Sequence, residues 1–146
     1  LWKSLPGPMR TKVRKAEKSE LAIRWGGGAR KDERELAEFY DVLADNMHRK
    51  GSPIYGFAFM QEIMKEFSDG KSGVEADVLI LDLKPTTDSV KPSDDKVNVV
   101  SGAMVLRHAG VVYVPFVSSR ANTMRRDGSN KAAIAFTVSM IRCGAS

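Results

Sequence analysis

ADVLILDL, residues 76–83, is a nearly unbroken apolar run. A run of this length and composition predicts a strand buried on both faces, and therefore central in its sheet. Working downstream, KPTTDSVKPSDDK (84–96) is a polar, proline-containing loop. Residues 97–106 and 111–117 flank Arg107-His108-Ala109-Gly110, which reads as a hairpin. SSRANTMRRDGSN (118–130) is a basic loop. A final strand over 132–141 would place Ile134, Phe136, Val138 and Met140 on one face.

Upstream, two helices are expected. Leu36, Phe39, Tyr40, Leu43 and Met47 recur at steps of three and four, which makes one apolar stripe on a helix from about residue 32. Acids at Asp32, Glu33 and Glu35 suit its positive end, and Arg49-Lys50-Gly51 closes it. Residues 54–59 alternate at Tyr55, Phe57 and Phe59, so a short extended entry leads into a second helix over about 59–67. Before these, SELAIRW (19–25) alternates, with Leu21, Ile23 and Trp25 on one face and Ala22 and Arg24 on the other. That is a half-buried strand, broken by Gly26-Gly27-Gly28. Residues 1–18 read as a flexible arm, because Pro6, Gly7 and Pro8 oppose helix and sheet and most of the rest is basic or polar. The sum is an α+β domain over 19–146: a mainly antiparallel sheet of about five strands packed against two helices, preceded by a basic flexible N-terminal arm.

Length and charge set the remaining bounds. The chain has 146 residues, enough for one core, and a net charge of +5. The single Cys143 excludes an internal disulfide framework and a cysteine-rich zinc site. No apolar run approaches the length of a membrane-spanning helix, and no secretory leader pattern is read at the start. Charge is partitioned: residues 1–20 carry +4, residues 106–146 carry +5, and those between carry −4. Such a chain can dock its ends on a polyanion or on the acidic middle of a neighbouring copy. The arm therefore supplies Trp2, Lys3, Arg10, Lys12, Arg14, Lys15 and Lys18 as candidates for an anionic membrane or another polyanion. Arg120, Arg125, Arg126 and Lys131 are the candidates for self-association or RNA binding. Tyr113 and Phe116 lie on strand positions near them and can stack bases, although core is the commoner fate of such residues.

Catalytic patterns fail one by one. Gly70-Lys71-Ser72 matches the end of a phosphate loop, but Lys65 stands where the first glycine belongs and the segment follows a helix. Gly26 to Lys31 before a helix can hold an anion, without a dinucleotide fingerprint. Cys143 and His108 have no local partner for nucleophilic catalysis, and His48 suits a helix C-terminus. No metal, cofactor or catalytic residue is assigned, and the expectation is a protein that is not an enzyme.

The order of segments resembles the rhabdovirus matrix proteins, most nearly the vesiculovirus type. Arg49-Lys50-Gly51-Ser52-Pro53-Ile54-Tyr55 followed by Phe57-Ala58-Phe59 is similar to that family's turn and aromatic strand. Gly110-Val111-Val112-Tyr113-Val114-Pro115 is similar to its Gly-x-x-Tyr-Leu-Pro stretch, and 130–141 to its late strand. The interval before that last strand is shorter than in the family, and no Pro-Pro-x-Tyr occurs in these residues. The resemblance implies a virion shell protein beneath the envelope, at the inner face of the host membrane. It would bind itself, the nucleocapsid or RNA, and an anionic membrane peripherally. An RNA-binding nucleocapsid or coat protein, or another basic RNA-binding domain, is the alternative. A small enzyme using His108 or Cys143 is the third.

Overall fold

The structure, a computed structural model, describes residues 6–8, 10–11, 14, 21–27, 33–67, 69–83 and 99–120. Four strands form one sheet: β1 (Leu21–Gly27), β2 (Val74–Leu83), β3 (Val99–His108) and β4 (Val111–Ser119). They lie in chain order and every neighbouring pair is antiparallel. Between β1 and β2 the chain makes two helices, α1 (Arg34–Lys50) and α2 (Phe57–Glu66), which pack on one face of the sheet. The chain is thus α+β, with, among the described residues, a four-stranded antiparallel sheet and two helices packed on it. The expected fifth strand over 132–141 and the arm boundary after residue 18 lie outside the described residues.

β2 is central because its composition allows nothing else. Ala76, Val78, Leu79, Ile80 and Leu81 are all buried, so both faces of the strand are covered. Val78 and Ile80 point toward the helices and join Leu36, Phe39, Val42, Leu43, Met60, Val99 and Met104 in the core. Gly102 lets α1 settle on the sheet: a Cβ there would lie 2.8 Å from Phe39 Cδ2 and 3.2 Å from Ile80 Cδ1. α1 ends where Gly51 turns left-handed (φ 66°), with its N–H donated to the His48 carbonyl and the Ser52 N–H donated to that of Met47.

Several local expectations are corrected. β1 runs through Gly26 and Gly27, which pair with Val78 and Asp77; these glycines do not break it. Its sidedness is also inverted. Arg24 points toward the helices, while Ile23 is 42% exposed. The polar side faces inward because α1 presents Glu35 and Glu38 there and β2 presents Asp82. α2 begins at Phe57, after an extended Gly56, so the Phe57-Ala58-Phe59 stretch read as a matrix-like aromatic strand is helical. Phe57 packs against the core and meets Tyr40 edge-on at 5.2 Å; its period is that of a helix face, which mimics alternation over three residues. Gly7, Pro8, Arg10, Thr11 and Arg14 are helical, although Pro6-Gly7-Pro8 was read as opposing helix. A first helical turn has no use for the missing proline N–H, and the Pro6 carbonyl accepts from Arg10 N–H at 3.1 Å.

The β3–β4 hairpin turns on Ala109 and Gly110 alone, and Arg107 and His108 belong to β3. Both turn residues have positive φ, 47° and 76°, as a type I′ turn requires. Alanine in that conformation is strained by roughly 1–2 kcal/mol, whereas asparagine adopts it readily. Ala109→Asn is expected to raise stability by about 0.5–1 kcal/mol, read as an upward shift of the urea midpoint. A lowered midpoint would contradict the turn assignment.

β4 carries an irregularity. Leu106 pairs with Tyr113 and Met104 with Phe116, so three steps along β4 answer two along β3. Cross-strand partners share a face, and the bulge therefore brings Tyr113 and Phe116 to the same side, that of the helices. Pro115, which has no N–H to donate, sits within this bulge.

Candidate functional site

The most concentrated arrangement of charge lies between β1, α1 and β2. Arg24 Nε and Nη2 donate to Asp82, Nη2 also to Glu38, and Nη1 to Glu35 Oε1 at 3.5 Å. Arg34 Nε donates to Glu38 Oε1 at 2.9 Å. The three carboxylates are mostly buried, with side chains 12–17% exposed. The Asp82 hydrogen bond, with that of Glu38 behind it, holds the Arg24 guanidinium pKa above its ordinary value, against the opposing effect of burial. Gly26 lies where a Cβ would overlap the Glu35 side chain, so glycine is needed for α1 to bring its first turn down. Local pattern gave no sign of this cluster, because its partners are 11, 14 and 58 residues from Arg24 in sequence. Chemically it is a clamp: one guanidinium donates to all three carboxylates and ties β1 to α1 and β2.

A second polar assembly sits at the end of β4. Ser101 Oγ donates to the Ser118 carbonyl at 2.8 Å, and Ser118 Oγ to the Val42 carbonyl of α1 at 3.3 Å. Arg120 follows directly. Its N–H and Nε donate to the Val100 and Val99 carbonyls at 2.9 and 3.1 Å. Val100 is the extra residue where β3 slips against β2, and the Arg120 N–H continues the β3–β4 pairing onto its carbonyl. Arg120, read as a self-association or RNA residue, thus spends part of its guanidinium on the fold.

Other candidates are placed as follows. Arg10 is half-buried and Arg14 exposed. Trp2, Lys3, Lys12, Lys15, Lys18, Arg125, Arg126, Lys131 and Cys143 lie outside the described residues, as do residues 28–31 of the glycine-rich anion reading. His108 is not in a turn. It ends β3, and its Nδ1 is 2.9 Å from the Gly73 carbonyl. Arg107 beside it pairs with Asp77 and Glu75. In the Asp69–Gly73 loop, the Lys71 ammonium and N–H hold the Asp69 carboxyl below its usual range, and Asp69 raises Lys71 in return. Among the described residues no group of three or more His, Cys, Asp or Glu is placed to hold a metal ion. No described helix is long and apolar enough to cross a membrane.

No family model and no curated protein matches the chain. Among solved structures it is similar to FemX, with a TM-score of 0.69 and 14% sequence identity. The match covers 99% of this chain but 46% of FemX, so the chain spans less than half of that protein's length. The likeness is one of fold. FemX is not a rhabdovirus matrix protein.

Proposed function

We propose that the chain is a group-transfer unit built on the FemX fold. The observation that supports this reading is the correspondence to FemX, a transferase, over 99% of the chain. A unit of this size would supply one part of such an enzyme. The geometry of β4 is compatible. Among the described residues β4 ends the sheet, and its bulge re-aims backbone groups around Pro115. Bulges are over-represented beside active sites, and an extended, amide-bearing donor can add along a strand edge.

The charge partition favours a second reading, a non-enzymatic matrix-type shell protein. In it the basic arm rests on an anionic membrane, and Arg120, Arg125, Arg126 and Lys131 contact a neighbouring copy or RNA. One pair of measurements separates the two readings. The chain is melted with acyl-thioester, aminoacyl-ester and nucleotide-sugar donors in turn. A donor at a hundred times its Kd adds about 2.7 kcal/mol, which is several degrees in Tm. The transfer reading expects that rise for one donor class. A Tm unmoved by every donor, with liposome flotation lost on deleting residues 1–18, sinks the transfer reading and favours the shell.

A further inference from the structure

We draw no further inference here: the strongest candidate, the exposed aromatic patch between α2 and β4 where Tyr55 meets Phe59 at 4.6 Å and Phe116 at 6.1 Å between ring centroids, carries nothing, because nothing in the structure shows what covers it.

Discussion

Phe39→Ala is expected to cost about 3–5 kcal/mol, which for a domain of this size is a large share of the whole stability. Phe39 is completely buried, on the α1 face that reaches Val78, Ile80 and Met104. Removing its ring deletes apolar contact and leaves a cavity over Gly102, where neither α1 nor the sheet can move inward without disturbing the other's packing. In urea the midpoint should fall by about 1–3 M, given the usual slopes. The partner change sharpens the test. Gly102→Ala alone forces a Cβ against the Phe39 ring, which costs about 1–3 kcal/mol. In the Phe39→Ala background the same methyl no longer meets the ring and should cost clearly less, with its remaining close contacts to Ile80 Cδ1 and the Leu79 carbonyl at 3.2 Å. Additive costs in the double variant would mean that the two residues do not meet.

Arg24→Met is the second large effect. It leaves Glu35, Glu38 and Asp82 facing one another with only Arg34 still bonded to Glu38. Breaking a fully buried pair costs about 3–5 kcal/mol. Arg24 is 32% exposed, so water screens part of the loss, and about 2–3 kcal/mol is expected here. Adding Glu38→Gln and Asp82→Asn to Arg24→Met should recover much of that stability, because only Glu35 of the three carboxylates then keeps its charge and the repulsion among them is gone. If the triple variant is no more stable than Arg24→Met, the cost came from lost packing of the arginine stem. Circular dichroism melts of the variants decide between the two.

These two sites also mark how far the chain can be read unaided. The α1 stripe was legible because burial follows a single helical period there, and Leu36, Phe39 and Leu43 are in the core. Val42 escaped it, because α1 lies across all four strands and buries a broader face than one stripe. β2 was legible because a strand covered on both faces has no alternation to misread. β1 was misread for the opposite reason. Its apolar alternation is real, but which side faces the helices is decided by carboxylates distant in sequence. The start of α2 was missed because Tyr55, Phe57 and Phe59 fit a period of two as well as a helix entry. Arg120 was singled out by its charge alone, and its hydrogen bonds to the β3 backbone could not be read from the sequence. The exposed ring cluster joins residues about 60 positions apart and shows only in the folded chain.

The bulge in β4 restricts how this chain can vary in length. Phe116 and Ser118 face the helices only because one additional residue lies between Tyr113 and the resumed pairing. Loss of one residue between Tyr113 and Phe116 would remove the bulge and leave β4 in regular pairing, with Phe116 and Ser118 still toward the helices. Loss of two would instead reverse every side chain from Phe116 onward, so that Ser118 leaves the Val42 carbonyl and Val117 is driven beneath α1. The interval from Gly110 to Ser118 can therefore shorten by one residue but not by two. Descendants of this fold that lack the bulge should have an interval one residue shorter.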